Sequence, residues 1–472
     1  MLRSGARVVC FAVLVSLIAL ALGTAGPPTV SAASPADGSG GKAVAHRANG
    51  RRVSARNAPD AKLYRIPDTE AIEPTLGINK KGHIFYTAAS GATNVDVFKS
   101  TDSGKTWTLA SPTFPGGVKA HPVTLDPYVY VAEPTGRIFN IDLTVACSYL
   151  SFSDDGGTTW ITNPIACGRP INDHQTLFSG PPAISPTGVY EEIVYYCWND
   201  FGFGSSCSKS LDGGISWTPT GSPAFLGYDL EGQGDQCGGF HGHGVVGKDG
   251  TVYLPKEYCG QPFLGISKDE GLTWEPVQVA SNTTERLGSD TSVAVDRKGN
   301  LYYAYETQNQ ELYLVTSRDG GKTWSKPMMV AHPAVEEVTL PTLDVGDPGK
   351  VAIGYVATED SPFDKCEPDC TSAHYAKTEW NGYITITSDV FANDPLFFSS
   401  TANDPDDPIY RGRCDFTTRC GPLLDFMDIE ISPDGTAYAA MVDACTLVCV
   451  KTGPASGSDA IVGRLVGGPK LR

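Results

Sequence analysis

Four of the chain's eight histidines fall in three segments of one kind. His121 stands in KAHPVTL, His174 in NDHQTLF, and His241 with His243 in GFHGHGVV, each leading into an apolar strand pattern. Acidic residues hold similar places: Glu73, Asp173, Asp290, Asp425 and Asp428. Neutral imidazole ligates a metal or accepts a proton, and imidazolium holds an anion. Carboxylates beside it supply acid–base groups. Residues two apart on a strand share a face, so His241 and His243 point the same way. The candidate catalytic residues are therefore Asp173, Asp290 and Asp428. The candidate ligand-binding residues are His121, His174, His241, His243, Glu73 and Arg286. The set also has the donors for a divalent metal ion, with His174, His241 and His243 as ligands, although the spacing is none of the local zinc patterns. A hydrated polar channel is the purely structural reading of the same residues.

These residues need elements to bring them together, and a repeat supplies them. A motif recurs five times: STDSGKTW at residues 100–107, SDDGGTTW at 153–160, SLDGGISW at 210–217, SKDEGLTW at 267–274 and SRDGGKTW at 317–324. Its Asp accepts hydrogen bonds from the turn's own backbone, its Gly takes a conformation closed to other residues, and its Trp buries a ring between sheets. These Asp residues are structural, not catalytic. A second unit, strand–Gly turn–strand, surrounds them, as in TLGINKKGHIFYTA and SVAVDRKGNLYYAY. Seven copies can be traced; the sixth keeps only Thr387-Ser388-Asp389 of the box, and the seventh has none. The expected fold is an all-β propeller of seven four-stranded blades, with six as the alternative. The last blade runs short of its outer strand, and residues 63–66 near the start of the chain are placed to fill it. Strand directions alternate, so the strand A–B turns and the boxes share a bottom face. The B–C loops and the D–A links share the top, where the histidines and acids converge.

The N-terminus reads as an export signal over residues 1–32, with Arg3 and Arg7 before an apolar run and Val30-Ser31-Ala32 at a cleavage site. Residues 33–61 read as a flexible leader and 62–472 as the propeller. Twelve cysteines follow the signal and fall as neighbours: Cys147/Cys167, Cys197/Cys207, Cys237/Cys259, Cys366/Cys370, Cys414/Cys420 and Cys445/Cys449. An exported chain favours disulfides over zinc for such pairs, and every pair maps to the top. A net charge of −17 excludes a nucleic-acid surface. No later segment is apolar enough for a bilayer span. The expectation is a secreted monomer whose partner is an extracellular glycan or small polar ligand.

The motif S-x-D-x-G-x-[TS]-W resembles the Asp-box (BNR) repeat of the sialidase superfamily. The segments HQTLFSGP, CGGFHGHG and LLDFMDIEISPDGTAYAAMVDAC are similar to those of secreted bacterial proteins labelled sialidase family. The resemblance implies a sugar-directed top-face site: a glycoside hydrolase or lyase, a non-catalytic binding or assembly platform, or a true exo-α-sialidase. Arg65-Ile66-Pro67 matches the letters of the family's first carboxylate-binding arginine motif. Residues 68–73, however, intervene before the first inner strand, and Arg65 falls on the closing outer strand. Asp96 matches a strand Asp of the family, not its acid/base Asp. Arg286, Arg411 and Arg413 with Tyr410 are the remaining residues available to complete such a site, and none lies in a diagnostic motif.

Overall fold

In the computed structural model, residues 38–472 are described except 91–93, 115–117, 120–125, 145–146, 168–171, 187, 201–203, 228–236, 238, 282–289, 361–377, 415–419, 447–448 and 451–456. Each Gly-turn unit becomes an antiparallel hairpin and each box joins its third strand to a fourth. Gly299 and Gly349, at φ 84° and 87°, turn the A–B hairpins of blades 5 and 6. The result is a seven-bladed propeller with four antiparallel strands per blade. Blade 1 begins with Thr75–Ile78, blade 2 with Pro127–Val131, blade 3 with Asp173–Gly180 and blade 4 with Val245–Val246. Blades 5, 6 and 7 begin with Ser292–Val295, Glu337–Val345 and Asp428–Ile431. Apolar side chains of adjoining blades, such as Phe139, Leu150 and Leu177, pack between the sheets.

Blade 7 takes its fourth strand from the start of the chain. Asp60–Glu70 pairs with Asp459–Val466, with Leu63 opposite Gly463 and Tyr64 opposite Val462. This closes the ring and removes two sheet edges. The leader reading of residues 33–61 is corrected over its described part. Gly38–Lys42 adds a fifth strand to blade 7 by pairing with Asp60–Glu70. Val44–Arg47 adds one to blade 6 by pairing with Leu396–Thr401. Backbone pairing at close quarters decides this, and it leaves no apolar period. A Cβ on Gly40 would stand 2.4 Å from the Thr401 carbonyl oxygen and 2.5 Å from the Ala61 Cβ.

The boxes repeat one hydrogen-bond set. In the first, the Ser100 hydroxyl and the Thr106 N–H both donate to Asp102 Oδ1 at 2.9 Å, and Trp107 Nε1 donates to the Gly104 carbonyl at 2.9 Å. In the fifth, Ser317 Oγ, Thr323 N and Thr323 Oγ1 donate to Asp319 at 2.8, 2.9 and 2.6 Å. Asp319 is exposed, not buried as a turn-filling carboxylate would be. Its partners lie within its own turn, so it binds them from the solvent side. The trace of a sixth box also works: Thr387 Oγ1 and Leu396 N both donate to Asp389 Oδ1 at 3.0 Å.

Inner strands are laced to one another. A side chain beside or on one blade's inner strand accepts a backbone N–H of the next blade at six junctions among the described residues. The acceptors and donors are Thr75 with Val129 N (2.8 Å), Asp126 with His174 N (3.1 Å), Thr176 with Gly244 N (3.3 Å), Ser292 with Leu343 N (3.0 Å), Asp344 with Ile431 N (2.7 Å) and Asp428 with Leu76 N (2.9 Å). Such bonds satisfy inner-strand donors that a four-stranded blade leaves unpaired.

Candidate functional site at the mouth of the channel

Side chains from five blades meet where the inner strands begin, which only the ring axis allows. His174 belongs to blade 3. A bulge between Asp173 and Thr176 and a left-handed φ of 53° at His174 turn its ring into the channel. Its Nε2 lies 2.6 and 2.7 Å from the two carboxylate oxygens of Asp290, which precedes blade 5. Phe240 of the link into blade 4 stacks on His174 at 4.8 Å between ring centroids. Phe426, before blade 7, meets His174 edge-on at 5.4 Å and His243 at 5.8 Å. His243 also meets Tyr128 of blade 2 at 4.9 Å.

The CGGFHGHG segment shows why its letters alternate. His241 and His243 face the cluster, His241 lying 6.2 Å from the His174 ring. Gly239 and Gly242 face backbone, and Gly244 faces the Phe178 ring. A Cβ on Gly242 would stand 1.9 Å from the Thr291 carbonyl oxygen, and one on Gly239 would stand 2.0 Å from that of Glu257. The Cys237–Cys259 disulfide ties this segment to the end of its blade's second strand. The Lys256 ammonium, fully buried, donates to Gly239 O (2.9 Å), Asn199 Oδ1 (3.0 Å) and Ser205 Oγ (3.1 Å).

Charge follows burial and partner. Burial would lower the His174 pKa, but the charge and hydrogen bond of Asp290, with Asp173 and Asp126 farther off, outweigh it and raise it. Burial, then the Lys256 and His174 charges, holds His241 well below the usual imidazole value. Burial and the His174 charge push His243 down to about 3. Of the three rings His174 is the one that holds a proton most readily. Burial also brings Lys256 down to about 7 and pushes Asp428 up to about 7, against the two backbone N–H groups it accepts.

The remaining candidates take other places. Asp173 stays half-buried at the rim. Glu73, buried, accepts the Asp425 N–H at 3.2 Å and so clasps the link into blade 7. Asp428 receives Leu76 N at 2.9 Å and Ile429 N at 2.8 Å, and its Oδ1 stands 3.9 Å from His243 Nδ1. His121 and Arg286 lie outside the described residues. The metal-ligand set of His174, His241 and His243 is not assembled: no group of three or more His, Cys, Asp or Glu placed to hold a metal occurs among the described residues. Asp290 occupies His174 Nε2, and the Gly242 carbonyl occupies His241 Nδ1 at 3.1 Å. His241 Nε2 is buried without a partner among the described residues. Phe240, Phe426, Tyr128 and Lys256 were missed from sequence. Lys256-Glu257 inside the apolar VYLPKEY was a readable signal, as was a Phe directly before His241.

Arg65 and Arg411 take places away from this cluster. Arg65 lies on the closing strand, bound to Asp443 (2.5 Å) and Asp459 (3.1 Å) with Asp407 at 3.8 Å. Arg411 pairs with Glu379 and donates to the Val450 carbonyl at 3.1 Å. The disulfides Cys197–Cys207, Cys237–Cys259, Cys414–Cys420 and Cys445–Cys449 form at the blade ends around the mouth. Cys147 is disulfide-bonded and stands opposite Cys167 in its ladder, while Cys366 and Cys370 lie outside the described residues. No helix among the described residues is long and apolar enough to cross a membrane.

Between His243, Asp290, Thr291, Leu340 and Phe426 a crevice of about 10 Å³ remains, the room of a single water.

Residues 315–326, which hold the whole of the fifth box, match the family model for the BNR/Asp-box repeat. No curated protein sequence matches the chain. Among solved structures, the chain is similar to a protein of unknown function from Dyadobacter fermentans, at 17% identity over 87% of this chain and 98% of that one, with TM-score 0.43. It is similar to the NanB sialidase of Streptococcus pneumoniae, at 14% identity over 85% and 70%, with TM-score 0.41. It is also similar to a fucoside-bound Aleuria aurantia lectin, at 10% identity over 68% and 92%, with TM-score 0.43. At this distance the likenesses carry no argument about activity.

Proposed function

We propose that this Asp-box β-propeller, an exported monomer, engages an extracellular carbohydrate or similar polar ligand at the mouth of its central channel. The observation that carries the reading is the His174–Asp290 pair, joined across blade 4 at 2.6 Å and flanked by the Phe240 and Phe426 rings. A few converging polar groups beside aromatic faces are what a sugar needs, the first for its hydroxyls and the second for its C–H face. The pair keeps a fixed donor–acceptor array, and His241 Nε2 adds an unused ring nitrogen beside it. With so little room in the crevice, the ligand rests against the mouth. Disulfides around it hold the surface in shape. A glycan array and a panel of chromogenic glycosides, run on the same purified protein and on His174→Ala, test this. Binding lost in the variant with an unchanged melting temperature supports the site; binding that survives there removes it.

A hydrolytic role for the same mouth is favoured by one observation. Asp428, at about 7 and 3.9 Å from His243, is a carboxylic acid available near neutral pH, as a glycosidase's general acid must be. Turnover of any glycoside with an alkaline limb near pH 7 that Asp428→Asn abolishes supports it. Binding without turnover leaves the platform.

A further inference from the structure

A second cavity, of about 470 Å³, opens at the rim of blade 6, within the size range of small-molecule pockets. No inner-strand residue lines it. Its walls are the ends of the second, third and fourth strands of blade 6, His332 before the blade, and Gly41 and Lys42 of the N-terminal strand. The segment that looked like leader therefore completes the pocket.

The walls carry both hydrogen-bond polarities. Glu359, half-exposed, accepts the Tyr383 hydroxyl at 3.3 Å, and Asp360 stands beside it. His332 packs on Tyr383 at 5.6 Å, and burial, with the charges of Arg52 and His46, brings it down to about 4. It is neutral and does not offset the carboxylates. The buried neutral donor is Asn381, which is only 9% exposed, while the Lys42 ammonium stands in solvent at the edge. Asn403 Oδ1 accepts the Gly382 N–H at 2.9 Å, so its amide nitrogen donates to Asn381 Oδ1, at 2.6 Å. That fixes the orientation of both amides. The Asn381 amide nitrogen is left on the cavity wall with no partner among the described residues.

We infer that this cavity is a second ligand site, independent of the channel mouth, for a neutral hydroxylated ligand of the saccharide class. Hydroxyl groups donate to the Glu359 and Asp360 carboxylates and accept from the Asn381 amide, as few other ligand groups do. Glu379, paired with Arg411, and the exposed Lys42 also line the cavity, so a carboxylate-bearing sugar meets Glu359, Asp360 and Glu379 against one solvated ammonium and is disfavoured.

The test is titration calorimetry on the full chain with neutral gluco-, galacto-, manno- and xylo-oligosaccharides and with N-acetylneuraminic acid. A neutral probe binds, and Asn381→Asp weakens it at least tenfold, because Asp keeps the acceptor for Asn403 and loses the donor. Glu359→Gln weakens it by a smaller factor. Glu359 is a solvent-side residue whose side chain makes no backbone bond among the described residues, so this variant serves where Asn381→Asp fails to fold. His174→Ala leaves this binding unchanged. The proposal is overturned if no neutral probe binds, if N-acetylneuraminic acid binds as tightly, if both rim variants bind as the parent does, or if His174→Ala abolishes the binding.

Discussion

The two ends of the propeller treat the same residue type in opposite ways. At the bottom, box carboxylates sit in water and are held by hydroxyl and backbone donors of their own turn. Those bonds bring Asp155 and Asp319 down to about 2. At the top, inner-strand carboxylates are buried, and desolvation brings Asp428 up to about 7 even though it accepts two backbone N–H groups. The bottom repeats one geometry from blade to blade. The top departs from it, with bulges in the inner strands of blades 3 and 6 and left-handed φ values at His174 and Leu340. Strain and buried charge gather where side chains of several blades meet, as functional surfaces commonly require. The repeat is scaffold, and the exceptions mark the candidate site.

The sharpest way to break this comparison is to cut the charge pair. Asp290→Ala leaves His174 buried against Phe240 without its carboxylate. Removing one partner of a buried ion pair costs about 3–5 kcal/mol, and denaturant unfolding reads it. Glycan binding at the mouth falls with it. A loss below about 1 kcal/mol would mean that solvent reaches His174 freely and that the top is not the desolvated end described. Arg65→Ala ranks next. It strips Asp443, only 2% exposed in its side chain, of its guanidinium, a charged hydrogen bond of about 1.5–3 kcal/mol. Glycan binding at the mouth is unchanged, because Arg65 lies on the outermost propeller strand of blade 7. A specific loss of sialoside binding in a folded Arg65→Ala protein would restore the Arg-Ile-Pro resemblance to a functional role.

The scaffold was legible in the sequence because its signals are local. Each box carries its own acceptor, glycine and ring within eight residues, and residues 63–66 have the β-branched and aromatic pattern of a strand wherever they pair. The leader strands were not legible, because Gly38–Lys42 pairs through backbone alone and offers no alternating face. At the site, equal positions on successive inner strands brought His174, His241 and His243 to one place. The partner of His174 stands 116 residues away, and only the ring geometry decides which acid it meets. Asp428 shows what position along a strand leaves open. Its place beside the channel suggested acid–base work, while its bond to Leu76 N, closing blade 7 on blade 1, depends on a neighbour 352 residues distant.

The opposite shifts at the two ends also predict opposite pH slopes. Burial raises the folded pKa of Asp428 from the ordinary carboxylate range to about 7. Between about pH 4 and 7 the native state keeps a proton that the unfolded chain has released. Stability from this group is therefore full below about 4 and falls as pH rises to about 7. Denaturant unfolding across that window is expected to show a shallower fall in Asp428→Asn than in the parent. Parallel curves would place the proton elsewhere.

Asp319→Ala is the smallest and cleanest contrast. Its folded pKa is lowered to about 2, first by the Thr323 hydroxyl, then by the Thr323 N–H and the Ser317 hydroxyl. A carboxylate so shifted adds stability above its unfolded value near 4 and loses it as pH falls through about 2. The side chain is exposed, so water screens what it gains. The variant's melting temperature is expected to drop by only roughly 1–3 °C at pH 7, and the gap from the parent shrinks as the pH approaches about 2. Neither the channel mouth nor the rim of blade 6 shares a residue with this box, so saccharide binding is unchanged. Calorimetric melts at pH 7, 4 and 2.5, with one binding titration at pH 7, read all of this. A variant that melts like the parent but no longer binds would reverse the assignment of faces, making the boxes the binding end and the bulged mouth the scaffold.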